Sequence, residues 1–337
     1  MKKINLLDCT LRDGGYVNDW KFGQAAIMDI KLKLEDSGAD IIELGFLKDE
    51  PENSDRTIYK SVGQITPFIG KKKPGISYAA MIDVQGRIPI EMVAARNLDT
   101  IDIIRVIVWK RTLETDIFYC KQIVERGYRL CVQPARVDQY SDSEFVEMLR
   151  LFEPLDPLAI YVVDSWGTQN INSLAHYFDL ADSTMKADIA LGYHGHNNLQ
   201  QAFGVAESFL GGFPSRAKII DASIFGIGRG AGNLNTETIA LLLNRSFAGK
   251  YEYSPLIEMY DKYIKVIYEN SKWGYSLPLY ITAANNCNPE YALYCEKLGL
   301  SNIEIASVIK SLSRDEKTRY NSNNIDMALI KLGLGNR

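Results

Sequence analysis

The sequence predicts an α/β fold, a (β/α)8 TIM barrel followed by a C-terminal helical appendage. Three features carry that prediction. Eight short apolar runs recur between residues 4 and 228. Amphipathic stretches with apolar residues at i, i+3 and i+4 separate them. After Phe247 the strand-like runs stop while the helical period continues. Repeated strand–helix units imply a parallel sheet, and eight of them imply a closed barrel. A doubly wound open sheet is the alternative, but no glycine-rich nucleotide turn follows the first run.

The runs, in order, are INLLDCTL (4–11), ADIIELGF (39–46), GISYAAMI (75–82), IDIIRVIVW (101–109), YRLCVQPA (128–135), LAIYVVDSW (158–166), ADIALGYHGH (187–196) and AKIIDASIFGIG (217–228). Between the first two, QAAIMDIKLKLEDSG has helical spacing and closes on glycine. Ser141 with Glu144 reads as a capping box for another helix, and Ser301 with Glu304 as a second. SPLIEMYDKYIKVIYEN, PEYALYCEKLG and SNIEIASVIKSLS are helical in period. The chain therefore divides into a barrel domain over residues 1–250 and a helical domain over 251–337.

Composition excludes several classes. Of 337 residues, 46% are hydrophobic and 24% charged, and the net charge is −4, so no basic footprint points to nucleic acid. The run Lys71-Lys72-Lys73 reads as a solvated loop. No window of 18 apolar residues exists, so no membrane helix is expected. The N-terminus carries acids where a signal peptide needs a longer apolar core. Cys9, Cys120, Cys131, Cys287 and Cys295 are odd in number and form no CxxC, which fits a reducing compartment. The expected location is cytoplasmic.

In a barrel of this kind the C-terminal ends of the strands face the active site. The seventh run ends in Tyr193-His-Gly-His-Asn-Asn198, which holds two of the three histidines. At i, i+2 on a strand, His194 and His196 point to one face. Neutral imidazoles so placed suit a divalent metal, although two hydrogen-bonded histidines would read the same. His176 lies in a helical stretch and reads as surface. Asp13, after the first run, supplies a carboxylate, with the two glycines behind it letting the backbone turn; an N-cap or a pair with Arg12 is the alternative. By strand alternation Asp8, Thr10 and Arg12 share a face. Glu43 sits inside an apolar strand, where an unpaired acid is costly. Arg12 is its expected partner, giving either a rigid cation beside the metal or a plain core ion pair.

Ser165, at the end of the sixth run, could bond an anionic substrate, and Asp164 could orient a metal ligand. Arg105 reads as a structural pair outside the site. The glycine-rich stretch Phe225–Glu237 leads to a helix near Thr236, a usual anion position in this fold, and Asn233 offers it a carbonyl oxygen for metal or substrate.

DCTLRDG, IIELGF, DSWG, GYHGHNN and GRGAGNLNTE, in that order from residue 8 to 237, resemble the DRE-TIM metallolyases, which include hydroxymethylglutaryl-CoA lyase, isopropylmalate synthase and 4-hydroxy-2-oxovalerate aldolase. The resemblance implies a metal held by Asp13, His194 and His196, with Asn233 matching an asparagine that coordinates in some lyases. It places the family's Asp, Arg and Glu on Asp13, Arg12 and Glu43. The aldolase branch is most similar, through its Asp-Ser-x-Gly motif and a Gly-Tyr-Ser matched by Gly274-Tyr275-Ser276. One departure is clear: where those aldolases carry an acid/base histidine, this chain has Tyr16. A phenol with its ordinary pKa near 10 is a poor base at neutral pH. The expected acid/base group is Tyr16, Tyr275 or a metal-bound water.

The expected activity is cleavage or formation of a carbon–carbon bond in a 4-hydroxy-2-oxo acid through a pyruvate enolate. The expected cofactor is Mn2+ or Mg2+, with Zn2+ or Co2+ as alternatives. Arg12 and Ser165 are the expected substrate contacts. The resemblance also implies pairing with an aldehyde dehydrogenase, and a homo-oligomer is expected. Competing readings are a Claisen-type synthase using acetyl-CoA, a non-catalytic metal-binding subunit, and an Fe(II) oxygenase.

Overall fold

The computed structural model describes residues 3–86 and 88–334. All eight predicted runs form strands: β1 (Ile4–Asp8), β2 (Ile41–Leu47), β3 (Ser77–Asp83), β4 (Ile103–Val108), β5 (Arg129–Pro134), β6 (Ala159–Asp164), β7 (Ala190–Gly195) and β8 (Lys218–Ala222). Every pairing between them is parallel. Closure is explicit, because Leu7 on β1 lies opposite both Ile41 on β2 and Asp221 on β8. The fold is a TIM barrel. The open-sheet alternative is excluded by that closing pair.

A step of two along each strand separates inside from outside. Leu7, Ile41, Ala79, Ile103, Cys131, Ala159 and Ile219 pack together inside the barrel. Their neighbours Leu6, Ile42, Ile104, Leu130, Ile160 and Ile220 belong to a larger layer between strands and helices. The same parity, continued toward the strand ends, brings Glu43, Arg105, His194 and Asp221 inside.

Two strand–helix units are reduced. After β2 come a two-residue strand, Ile58–Tyr59, and a four-residue helix, Thr66–Ile69; after β3 there are only 3₁₀ turns, at Val84–Gly86 and Ile90–Met92. Pro74 and Pro89 interrupt helical continuation there, while Pro67 sits in the first turn of its helix, where proline is tolerated. The remaining units close with full helices, such as Gln24–Ser37 and Thr236–Ser246. The Ser141–Glu144 and Ser301–Glu304 capping boxes both form.

The first run is shorter than its sequence suggests. β1 stops at Asp8, whose Oδ1 accepts the Thr10 N–H at 2.9 Å and whose Oδ2 accepts the Thr236 hydroxyl at 2.6 Å. Held this way, Thr10–Asp13 winds into a helical turn. Asp8, Thr10 and Arg12 therefore do not share a strand face. The turn carries Arg12 and Asp13 together over the barrel mouth, and both are buried.

Beyond Phe247 the described residues are helical. Leu256, Met259 and Ile264 join the barrel's outer apolar layer, and helix Ser254–Met259 packs on helix Gln24–Ser37. A separate core forms around Cys287, Tyr291, Cys295, Ile305, Ile309 and Ile325. No helix of the described residues is long and apolar enough to cross a membrane. All five cysteines are free and buried.

Candidate metal centre and the cavity above it

Asp13, His194 and His196 meet at the barrel mouth. All three are buried, and one ligand atom from each lies within 4.8 Å of the others. His194 and His196 arrive on β7 and the residue just past it, at the predicted step of two. Their rings stand nearly perpendicular, with centroids 5.2 Å apart. Gly195 between them makes its room elsewhere: a Cβ there would strike the Tyr193 ring on the helix-facing side.

Protonation suits a cation. Burial pushes His196 down to about 4, against the opposing pull of Asp13, so its imidazole is neutral at ordinary pH. Burial alone would raise the Asp13 carboxyl, but Arg12 above all, helped by the hydrogen bond from Asn233, outweighs it and holds Asp13 well below the usual carboxylate range. Two imidazoles and one ionised carboxylate are a usual donor set for a divalent metal. Buried Nδ1 of His196 and Oδ1 of Asn233 have no hydrogen-bond partner among the described residues. The residues present fit a divalent cation.

A buried ion network supports these donors. Arg12 Nε donates to Glu43 Oε2 at 2.7 Å, and Arg12 Nη1 donates to Asp13 Oδ1. Burial would lower the Arg12 pKa, but Glu43 and Asp13 together hold it above its ordinary value. Glu43 is shared: Arg105 Nη1 lies 2.8 Å from the same Oε2, and Arg105 Nη2 bonds Asp221. Asp221 Oδ2 in turn lies 3.0 Å from His194 Nδ1, which leaves Nε2 as the free face of that imidazole. Arg105 is a structural pair, as expected, but it links the arginine side of the site to the histidine side. Asp221 was missed from sequence. Its signal was the same as that of Glu43, an acid inside an apolar strand, in AKIIDAS.

The remaining expectations divide. Asn233 reaches the site, but its Nδ2 donates to Asp13 Oδ2 at 2.6 Å and to the Ile227 carbonyl at 3.1 Å. The amide nitrogen rather than the carbonyl faces Asp13, because an ionised carboxylate accepts and does not donate. Gly228 permits this approach, since a Cβ there would lie 2.2 Å from Asn233 Nδ2 and 2.5 Å from Asp13 Oδ2. The helix beginning at Thr236 is not an open anion position: Asp8 takes the Thr236 hydroxyl, and Glu237 accepts the Phe225 N–H. Asp164 touches neither histidine through its side chain. Its carboxylate accepts the N–H groups of Thr168 and Gln169 and shapes that loop. His176 is exposed and pairs with Asp142 at 2.8 Å.

A cavity of about 790 Å3 opens above the cluster, and Arg12, Tyr16, Gln133 and Ser165 line it. Arg12 Nη2 and Gln133 Nε2 are buried donors without a partner among the described residues. Ser165 Oγ accepts the Arg136 N–H at 3.0 Å, which leaves its own hydroxyl free to donate. Tyr16 is 42% exposed at the open side of the cavity, and the surrounding walls push its hydroxyl up to about 12. Tyr275 does not reach the cavity. It is half exposed, just before the Ser276 cap of helix Leu277–Ala284. Sequence reasoning also missed Arg136 and Arg229, which directly follow the fifth and eighth runs, and Arg314 and Arg319, because appendage arginines carry no strand-end signal.

Comparison with known proteins places this geometry. The HMGL-like family model matches residues 3–259. An oxaloacetate decarboxylase of Mycobacterium tuberculosis is 23% identical over 71% of this chain and 70% of its own length. A 4-hydroxy-2-oxovalerate aldolase of Carboxydothermus hydrogenoformans is 25% identical over 72% of this chain and 71% of its own length. Among solved structures, an N-terminal domain from Bacteroides vulgatus superposes with a TM-score of 0.73 at 22% identity, covering 91% of this chain and all of that one. The HMG-CoA lyase of Brucella melitensis gives 0.58 at 16% identity, over 77% of this chain and 96% of that one. The resemblance drawn from the motifs is borne out, and the chain belongs to the HMGL-like family of DRE-TIM metallolyases.

Proposed function

We propose that this chain is a divalent-metal-dependent lyase that cleaves or forms the C3–C4 bond of a 4-hydroxy-2-oxo acid. The observation that supports it most is the unpartnered Arg12 Nη2 edge, buried beside the Asp13, His194 and His196 cluster. A divalent cation held by those three would supply Lewis-acid stabilisation of negative charge on the 2-oxo oxygen. Arg12, fixed by Glu43 and Asp13, adds a preorganised positive edge where that charge develops. Gln133 and Ser165 offer neutral donors for the substrate carboxylate.

In cleavage, the C3–C4 bond breaks and its electron pair moves into the enolate of pyruvate. The 4-hydroxyl loses its proton as the aldehyde forms, and C3 takes one up. With its hydroxyl pushed up to about 12, Tyr16 is suited to giving the proton to C3 and not to taking the one from the 4-hydroxyl. Asp83 lines the same cavity and offers a carboxylate oxygen to accept that proton.

Tyr16 also favours a second reading. Decarboxylation of a 2-oxo acid that carries a second carboxylate on C3 breaks the C3–carboxylate bond, releases carbon dioxide and needs the same enolate and the same proton donor but no base, and one relative is named oxaloacetate decarboxylase. One assay separates the two: pyruvate release from a panel of 4-hydroxy-2-oxo acids and from oxaloacetate, with Mn2+ and with EDTA. Metal-dependent release from the hydroxy acids is the expected result. Release from oxaloacetate alone would favour the second reading, and release from neither would overturn both. The Claisen-type reading predicts thiol release from acetyl-CoA instead. Pairing with an aldehyde dehydrogenase, and assembly into a homo-oligomer, remain proposals that co-purification and light scattering would test.

A further inference from the structure

The cavity above the metal cluster has a basic lining. Arg111, Arg136, Arg229, Arg314 and Arg319 line it, while Lys110 is already paired with Glu144. Beyond Asp13, the carboxylates lining it among the described residues are Asp83 and Asp315. The chain as a whole carries −4, so this concentration runs against the overall balance. Three of the arginines come from the barrel and two from the appendage, so the wall is built across both parts.

Arg136 shows that the wall is a prepared site. It is 5% exposed and stacks on Trp166, with its guanidinium carbon 3.3 Å from the ring centre. Asp138 takes Nε at 2.7 Å and Nη2 at 2.6 Å, which fixes the guanidinium plane. The third nitrogen, Nη1, is buried and has no partner among the described residues. Its backbone is left-handed, at φ 57 and ψ 62, a conformation unfavourable for arginine and held here by Ser165. Arg229 is likewise set in place, by Glu290 at 3.1 Å and Asn288 at 3.4 Å on the appendage. Arg314 and Arg319 are exposed and form no ion pair among the described residues.

We propose that the half of the substrate beyond C4 carries an oxyanion, a carboxylate or a phosphate, that binds to this wall. Arg136 Nη1 is the buried anchor, and Arg229, Arg314 and Arg319 close around it. The substrate class is then a 4-hydroxy-2-oxo acid that is anionic at both ends: the 2-oxo acid end at Gln133 and Ser165, the far end at the arginines. This rests on the carbon–carbon lyase reading for its chemistry, but binding to the wall does not require that reading.

The experiment has two arms. The first measures kcat/KM for 4-hydroxy-2-oxo acids ending in methyl, carboxylate or phosphate, in the wild type and in an Arg314→Ala/Arg319→Ala variant, whose exposed positions do not threaten folding. The wild type is expected to prefer one anionic end over methyl by at least about 30-fold, in line with charge-assisted hydrogen bonds at a partly desolvated site. The variant should shrink that ratio about 10-fold, and added salt should shrink it too. Which anionic substrate leads decides between carboxylate and phosphate. Equal turnover of the methyl and anionic substrates would overturn the proposal.

The second arm needs no turnover. Inorganic phosphate and succinate are titrated into the full chain, with and without Mn2+, while Trp fluorescence is followed, since Trp166 stacks on Arg136. Saturable binding that Arg136→Met weakens at least about 10-fold supports the wall even if no substrate in the first arm reacts. In that case only the lyase reading fails. No binding of either anion, together with no preference in the first arm, overturns the wall itself.

Discussion

The two ends of the barrel interior use the same eight strands for opposite purposes. At the bottom, Leu7, Ile41, Ala79, Ile103, Cys131, Ala159 and Ile219 form a dry apolar layer. Further along the same inward faces, Glu43, Arg105 and Asp221 two residues on and His194 four residues beyond Ala190 form a buried network of charge and imidazole. Burying an apolar side chain of this size stabilises the fold by roughly 1.5–3 kcal/mol. Buried ion pairs give little net stability, because desolvation offsets their attraction. The lower layer therefore holds the barrel closed, and the upper one persists for what it positions. The change of role comes within one or two steps of the strand period.

The sharpest way to break that comparison is Arg12→Ala. It should lower kcat/KM by about 10³-fold, the scale of removing a preorganised charge donor. Glu43 keeps Arg105 as a partner, so the fold should survive, and Mn2+ binding by calorimetry should persist. Loss of metal together with activity would show that Arg12 acts only by holding Asp13.

Ile103→Ala tests the other end. It should destabilise the protein by about 2–5 kcal/mol in denaturant unfolding. Turnover per folded molecule should hold, since Ile103 itself does not line the cavity.

Asp221→Asn sharpens the boundary between the two. The amide keeps the shape but loses the charge that orients His194. Mn2+ affinity should fall by about 10–100-fold, as for other partners of metal-bound histidines.

The smallest effect is one of pH. Burial pushes Asp164 up to about 7, against an ordinary value of 3.8, despite the backbone N–H groups it accepts. A raised carboxyl contributes stability in full below the unfolded value and loses it as pH rises through the folded value. The wild type should therefore lose that contribution between about pH 4 and 7. Asp164→Asn has no such proton to lose. Its destabilisation relative to wild type should be greater at pH 5 than at pH 8, in paired unfolding curves.

Much of this was legible in the sequence. Eight apolar runs gave the strands, and a HxH step placed His194 and His196 on one face, because strand alternation is rigid. Glu43 was legible as a misplaced charge, and so was its partner Arg12. Asp13 was reached by a partly wrong route: an Asp8 hydrogen bond, not a strand end with a glycine turn, curls the chain at Thr10. Asp221 carried the same signal as Glu43 and went unread. The appendage's contribution was not legible, since helical period fixes which face is apolar but not where the helix packs. Tyr275 was expected near the site from its Gly-Tyr-Ser resemblance alone, and Arg314 and Arg319 were not expected at all.

The most direct measurement is the stoichiometry and ligand set of bound Mn2+. Calorimetry and electron paramagnetic resonance should show one ion per chain, with nitrogen coupling from imidazole, and His194→Ala or His196→Ala should abolish tight binding. An ion that binds equally well to both variants, or no stoichiometric ion at all, would contradict a metal centre at Asp13, His194 and His196.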